Sequence, residues 1–176
     1  QRQMCIRDRS YPPQLISAYL RGQFVNLTSG AVYPDFDRKL NHTDEEIKPG
    51  EPLIIGMDFN VLKMAAVVYV IRDGKPLALD EMVGVRDTPT MATLLNERFP
   101  LHDMTVIPDA AGQAKSSKNS SESDHQILRD KGFRVEVSGT NPAIKDRINS
   151  VNALILNGDG ERTLLVNTNK CPRLTE

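Results

Sequence analysis

The chain has 176 residues, of which 22 are Lys or Arg, 23 are Asp or Glu and 39% are hydrophobic. This composition predicts one soluble globular domain, because a chain of this length buries enough surface to form a core without metals or disulfides. The net charge of −1 excludes a generally basic protein that coats nucleic acid, so any contact with phosphate has to be local.

Cysteine usage and hydropathy narrow the class further. Cys5 and Cys171 lie at opposite ends of the sequence, which predicts neither a disulfide framework nor a zinc site and makes a reducing, cytosolic compartment the default. The longest apolar runs are strand-sized and far shorter than the roughly 20 residues that cross a bilayer, so we expect no membrane partner. Residues 1–10 lack the apolar stretch of a signal peptide, and we interpret them as a non-native or disordered leader.

The character of the sequence changes near residue 50. Residues 14–22 place apolar side chains at helical spacing and end in glycine, which predicts one short helix. Residues 24–46 mix polar, proline and acidic residues with isolated aromatics, which indicates an extended arm lying against another part of the protein. We therefore interpret residues 11–50 as a linker helix and arm, and residues 51–176 as the main domain.

Three strands are predicted at the start of the main domain. Residues 53–59 form a continuous apolar run that contains an acid near its end, as in a buried central strand. Residues 64–71 form a second apolar run. The Asp-Gly turn that follows joins this run to a third strand, residues 77–85, as an antiparallel hairpin.

Helices and strands alternate after this meander. The pattern first predicts a helix capped at Thr88-Pro89 and ending near residue 100, followed by a strand over 104–108. Next come a helix capped by Ser123 and running to about Lys131, and a strand over 133–137. The last elements are a helix opened by Asn141-Pro142 and ended by Gly158, and a short strand over 164–166. This β-β-β-α-β-α-β-α-β order is that of an α/β, ribonuclease H-like fold. Its mixed central sheet combines an antiparallel three-strand meander with parallel strands, and helices cover both faces.

Two acids follow neighbouring strands of this fold. Asp58 ends the first core strand and Asp109 directly follows the fourth, so both carboxylates are expected at one edge of a cleft. Mg²⁺ and Mn²⁺ prefer hard oxygen ligands and need only a few carboxylates besides water and substrate phosphate. Two such ions, about 3.5–4 Å apart, promote phosphodiester hydrolysis. An aspartate at a strand end also commonly caps a turn, and spacing alone leaves both interpretations open.

Four segments carry a family resemblance: GMDFNV, IPDAAG, NPAIKDRINSVNALI and CPRL. In order and spacing they resemble the nuclease domain of phage large terminases, and residues 19–42 resemble the segment that joins the ATPase domain to it. The resemblance covers residues from about 11 to 174. It implies a two-metal, Mg²⁺- or Mn²⁺-dependent endonuclease that cuts concatemeric double-stranded viral DNA in the host cytoplasm. It also implies Asp58 and Asp109 as metal ligands, and an upstream ATPase domain, a terminase small subunit and the portal as partners.

Two parts of the family pattern are missing. The sequence has no phosphate-binding G-x-x-x-x-G-K-[ST] loop, so we expect it to carry no ATPase of its own. The family's third metal-binding acid usually lies in a D-H-x-x-D-A segment after CPRL, and the chain stops before one, as expected for a C-terminally truncated fragment with weak or no activity. Asp146 is the nearest substitute, although an acid in the first turn of a helix is favourable for electrostatic reasons alone.

Four polar residues are candidates for contact with substrate, with turn formation or a solvated surface as the alternative: Asn60, Lys63, Lys145 and Arg147. His125 is interpreted as a surface histidine rather than a general base, because it follows a Ser-rich loop far from either acid in sequence.

Other functions stay open on sequence grounds. The main alternative is a non-catalytic module of the same fold that grips DNA or docks on a motor. A resolvase for branched DNA shares the acids and the fold and differs only in its substrate. An actin-like ATPase fits less well, because the residues after Asp58 are Phe59, Asn60 and Val61 rather than the glycine and hydroxyl residues that would wrap phosphate.

Overall fold

The computed structural model describes residues 32–60, 62–108, 123–137 and 142–176. Its strands and helices are β1 Leu53–Asp58, β2 Met64–Arg72, β3 Lys75–Val85, α1 Thr88–Arg98, β4 Met104–Pro108, α2 Asp124–Asp130, β5 Arg134–Val135, α3 Ile144–Ile155 and β6 Leu165–Val166. The predicted order of elements is confirmed over these ranges. The leader predicted at 1–10 and the helix predicted at 14–22 lie outside the described residues.

The chain forms two compact units. The smaller unit contains the described residues up to Thr43 together with Pro142–Val166, and the larger contains the described residues of Asp44–Asn141 together with Asn167–Glu176. The predicted division of the chain at residue 50 stays a prediction. Within the described ranges, none of the helices is long and apolar enough to cross a membrane.

Five strands of the larger unit form a mixed sheet in the order β5-β4-β1-β2-β3. β2 pairs antiparallel with both β1 and β3, whereas β4 pairs parallel with both β1 and β5. Asp73 and Gly74 both adopt positive φ, at 52° and 73°, which is the tight hairpin turn that joins β2 to β3. The ribonuclease H-like fold class, with a meander followed by parallel strands, is thereby confirmed.

Alternation along the strands builds the core. Leu53, Ile55 and Met57 of β1 are buried, while the residues between them are only partly covered. Val68 of β2 and Val106 of β4 have no exposed surface and flank Ile55 on its two sides. The apolar centre of the sheet is therefore continuous across the three strands that lead to the candidate site.

Two helix starts and one strand differ from prediction. Asp87, not Thr88, is the N-cap of α1, and its side chain accepts a hydrogen bond from the backbone N–H of Thr90 at 2.9 Å. α3 begins at Ile144 without a side-chain cap, and Asn141 lies outside the described residues. β5 covers two residues rather than the predicted 133–137, because only Arg134 and Val135 pair with β4.

Asn41 fixes the described part of the arm inside the smaller unit. Its side chain is fully buried, and the Nδ2 group donates to the carbonyl oxygens of Ile155 at 3.1 Å and Leu164 at 3.0 Å. The Oδ1 atom accepts hydrogen bonds from the Arg162 guanidinium and from the backbone N–H of Asp37. Both ends of this amide are satisfied, so a buried polar group joins the arm to the end of α3.

The CPRL segment is anchored on β3 in the larger unit. The carboxylate of Glu81 accepts the backbone N–H groups of Arg173 at 2.7 Å and Leu174 at 2.8 Å. Cys171 is a free, fully buried thiol near the carbonyl oxygen of Ala78, and burial raises the pKa of this thiol to about 12. The thiol is therefore neutral at physiological pH, and the Glu81 hydrogen bonds hold the segment on β3.

An ion-pair cluster at the end of β2 holds residues that precede β1. The carboxylate of Glu51 accepts two hydrogen bonds from the Arg72 guanidinium, at 2.8 and 2.7 Å, and Glu45 pairs with the same guanidinium. Hydrogen bonding to Arg72 is the main reason that the pKa of Glu51 falls to about 2. The bidentate geometry makes this pair stronger than an ordinary surface ion pair.

This pKa predicts an acid-sensitive contribution to stability. Because the pKa of Glu51 is lower in the folded than in the unfolded protein, the contribution is complete above about pH 5 and is lost as the pH falls toward 2. Glu51→Gln should lower the free energy of unfolding at pH 7 by about 1–2 kcal/mol and flatten its pH dependence in that window. Urea unfolding at several pH values measures both effects. Glu97→Gln, at an exposed position of α1, is the control. A stability curve for Glu51→Gln that runs parallel to that of the wild type would contradict the assignment.

Candidate functional site

The carboxyl ends of β1 and β4 lie side by side at one edge of the sheet. The parallel register pairs Leu53 with Met104 at one end and Met57 with Pro108 at the other. Asp58 directly follows Met57, and Asp109 directly follows Pro108 in the sequence. The predicted neighbourhood of the two strands is confirmed, whereas Asp109 itself lies outside the described residues.

Asp58 presents an available carboxylate at this edge. It is the last residue of β1, its side chain is exposed, and it forms no hydrogen bond or ion pair with the described residues. A solvent-facing carboxylate with unused oxygen lone pairs fits Mg²⁺ or Mn²⁺, which retain water and take hard oxygen ligands. Across the part of the chain that the structure describes, no group of three or more His, Cys, Asp or Glu residues is arranged to hold a metal ion.

Asn60 and Lys63 lie in the turn that joins β1 to β2, close in sequence to Asp58. The backbone N–H of Lys63 donates to the carbonyl oxygen of Asn60 at 2.9 Å, and both side chains are exposed. The backbones of Asn60 and Lys63 thus form a turn, as one of the two interpretations predicted. Their contact with substrate stays a prediction.

Asp146, Lys145 and Arg147 occupy the first turn of α3, in the smaller unit. All three side chains are exposed, and the backbone N–H of Asp146 donates to the carbonyl oxygen of Ala143 at 2.9 Å. Asp58 belongs to the larger unit. The role of Asp146 as a third acid and the phosphate contacts of its two neighbours stay predictions.

The interpretation of His125 as a surface residue is wrong. His125 is only 2% exposed, and its ring lies 5.7 Å from the ring of Phe59, between centroids, at an interplanar angle of 53°. Leu128, three residues later, is also fully buried, so both side chains lie on the inner face of α2. That spacing is the sequence signal for burial. Because Phe59 directly follows Asp58, the histidine packs beside the segment that leaves the candidate site.

A partly buried hydrogen bond also fixes the start of α2. The hydroxyl of Thr88, which is 3% exposed, donates to the carboxylate of Asp124 at 2.6 Å. Thr88 opens α1 and also lies 3.8 Å from the sulfur of Met64. In the sequence Thr88 looks like a helix cap, so its use as a link between two helices is found only in the structure.

The ring contact between His125 and Phe59 predicts the response to truncation. His125→Ala removes a buried ring and should lower the free energy of unfolding by about 2–4 kcal/mol. His125→Phe keeps a ring against Phe59 and should lose clearly less. Gln126→Ala, at an exposed position of the same helix, is the control and should stay within about 0.5 kcal/mol of wild type. Equal stability of the alanine variant and the control in urea unfolding would show that the ring contact does not stabilise the fold.

Solved structures with the same fold come from phage terminases. A large terminase from a thermophilic bacteriophage, in complex with ATP-gamma-S, superposes with a TM-score of 0.73 at 18% identity, over 99% of this chain and 43% of that one. The P22 large terminase nuclease domain gives a TM-score of 0.57 at 14% identity, over 80% of this chain and 74% of that one. The large terminase nuclease domain of bacteriophage SPP1, with bound Mn, gives 0.53 at 17% identity, over 76% and 71%. At these identities the likeness shows the fold, and the chain spans less than half of the thermophilic phage protein.

Sequence comparison identifies the family. A search of curated proteins finds no match. A family model described as a terminase RNaseH-like domain matches residues 55–176, which is more than half of the 176-residue chain and includes Asp58. This match confirms the resemblance to terminase nuclease domains, and the chain therefore belongs to the terminase RNaseH-like domain family.

Proposed function

We propose that this chain is the endonuclease domain of a phage DNA-packaging terminase, which cuts concatemeric double-stranded DNA with the help of two Mg²⁺ or Mn²⁺ ions. The main support is the parallel register of β1 and β4, which ends at the edge where Asp58 is exposed. Family membership supports the class of protein. The bound Mn of the SPP1 nuclease domain supports the choice of metal.

Asp58 and Asp109 are proposed as the residues that would hold the metal ions. Pro108 is paired with Met57, and Asp58 and Asp109 directly follow these two residues in the sequence, which supports the proposal. When bound, the ions supply activation of a water and stabilisation of the leaving oxygen. The two carboxylates would hold the ions in a fixed position, because they lie at the ends of rigid strands.

The exposed polar residues are proposed to position the DNA backbone. Lys63 and Asn60 lie in the turn after Asp58, where an ammonium group and an amide suit contact with phosphate oxygens. Lys145 and Arg147 offer the same chemistry on α3. Such contacts fix the register of the duplex without reading its sequence.

The proposed partners follow from family membership. The thermophilic phage protein is a large terminase in complex with ATP-gamma-S, and this chain spans 43% of its length. We propose that an ATPase domain precedes this chain in the parent protein, and that a terminase small subunit and the portal act with it in the host cytoplasm.

A non-catalytic module that grips DNA or docks on a motor is the second candidate function. It is favoured by the exposed cationic side chains of Lys63, Lys145 and Arg147, which suit phosphate without any metal ion. DNA cleavage separates the two candidates, because a gripping module binds duplex without hydrolysing it.

The first functional prediction concerns Asp58. In the full-length parent protein, Asp58→Ala should reduce Mn²⁺-dependent cleavage of plasmid DNA by at least about 100-fold, because it removes a carboxylate that is proposed to hold the metal ions. Its stability should be equal to or above that of wild type, since the side chain is exposed and, with Asp109 beside it as proposed, its removal relieves repulsion between two carboxylates. Asp103→Ala is the matched control, because Asp103 is exposed at the opposite end of the β1 and β4 pair. Cleavage by Asp58→Ala at the wild-type rate would overturn the proposed function.

The second functional prediction concerns the third acid. Two fixed carboxylates give a second ion few protein ligands, so cleavage by this chain is expected only at high Mn²⁺. If Asp146 completes the site, Asp146→Asn should reduce that cleavage by about tenfold or more. Asp159→Asn, at another exposed position of the same unit, should not change it. Equal rates for Asp146→Asn and wild type would exclude Asp146 as the third ligand.

A further inference from the structure

Leu62 has an unusual backbone conformation in the turn between β1 and β2. Its φ is 66°, in the left-handed region that bulky L-residues rarely adopt. Among the described residues, positive φ otherwise occurs at five glycines and at Asp73, whose short polar side chain tolerates it in an Asp-Gly turn. Leu62 therefore occupies a position where this chain elsewhere uses glycine.

Backbone partners hold the turn in this conformation. The N–H of Leu62 donates to the carbonyl oxygen of Arg86 at 3.2 Å, and the N–H of Lys63 donates to the carbonyl oxygen of Asn60 at 2.9 Å. Burial does not offset the strain, because Leu62 is 67% exposed. A strained residue without a packing function in the described structure indicates a function elsewhere.

The position of Leu62 indicates what it contacts. It lies four residues after Asp58, in the turn that leaves the edge of the sheet where β1 ends. Lys63 follows it in the sequence, and Arg86 is its backbone partner. Both cationic side chains are exposed, and the Arg86 guanidinium also pairs with Asp87 at 2.8 Å. Exposed cations suit phosphates, and an exposed apolar side chain among them suits the sugar and base surfaces of a groove.

We propose that Leu62 contacts duplex DNA, packing against sugar and base edges beside the phosphate that faces the proposed metal site at Asp58. The inference rests on the proposed function for the identity of its ligand. The left-handed backbone is retained because glycine, which would relax the turn, would remove the apolar side chain that makes this contact.

Variants of Leu62 test the proposal in the 176-residue chain. Fluorescence anisotropy measures binding of a labelled duplex oligonucleotide in Ca²⁺, which occupies carboxylate sites. Leu62→Ala should weaken binding about five- to tenfold. Leu62→Gly should weaken it similarly while raising the melting temperature by about 2–4 °C, because glycine removes the backbone strain. Leu101→Ala is the control, since Leu101 is 84% exposed in the turn after α1, and it should bind like wild type.

The outcomes separate this inference from the proposed function. Wild-type affinity of Leu62→Ala, or a lower melting temperature of Leu62→Gly, would overturn the role of Leu62, even if Asp58→Ala is inactive and the nuclease proposal stands. Weakened binding by both Leu62 variants would support a contact between Leu62 and DNA. That result would stand even if Asp58→Ala still cleaves DNA and the proposed metal centre is wrong. A wild-type chain that binds no duplex would overturn both.

Discussion

The parallel pairing of β1 with β4 constrains where the candidate site can form. Five consecutive register pairs join the strands, from Leu53 and Met104 to Met57 and Pro108. Because side chains alternate between faces, a slip of one residue would move the fully buried Ile55 or Val106 to the wrong face of the sheet. Burial of Ile55 and Val106 in the middle of β1 and β4 therefore fixes the position of Asp58 at the end of β1.

Packing of α2 restrains the segment that follows Asp58. The Thr88 hydroxyl binds the Asp124 carboxylate, and the His125 ring lies against Phe59, so α2 is tied both to α1 and to the residue after Asp58. These contacts assign Asp124 and His125 to the scaffold, although both residue types are common in catalytic sites. A rigid support of this kind is what a metal centre built on strand ends requires.

The local sequence pattern predicts the strands and helices. The burial of individual polar side chains depends on contacts between residues far apart in the sequence, which the pattern does not show. The apolar runs and the Asp-Gly turn predict the meander because periodicity and turn chemistry are local properties. The burial of Asn41 depends on a carbonyl 114 residues away, and that of His125 on a ring from the β1 segment. The backbone strain at Leu62 cannot be predicted from the sequence, because the turn contains no glycine that would indicate a positive φ. Asp58 is predictable since it directly ends an apolar strand, whereas the role of Asp109 rests on sequence position and family resemblance, and that of Asp146 on sequence position alone.

The central claim is that Asp58 and Asp109 hold a divalent metal ion at the edge where β1 and β4 end. Anomalous scattering from crystals of this chain soaked in Mn²⁺ tests it most directly. We expect a manganese peak at coordination distance, about 2 Å, from carboxylate oxygens of both Asp58 and Asp109. A well-ordered edge with no manganese at Asp58, or manganese bound only elsewhere on the protein, would contradict it.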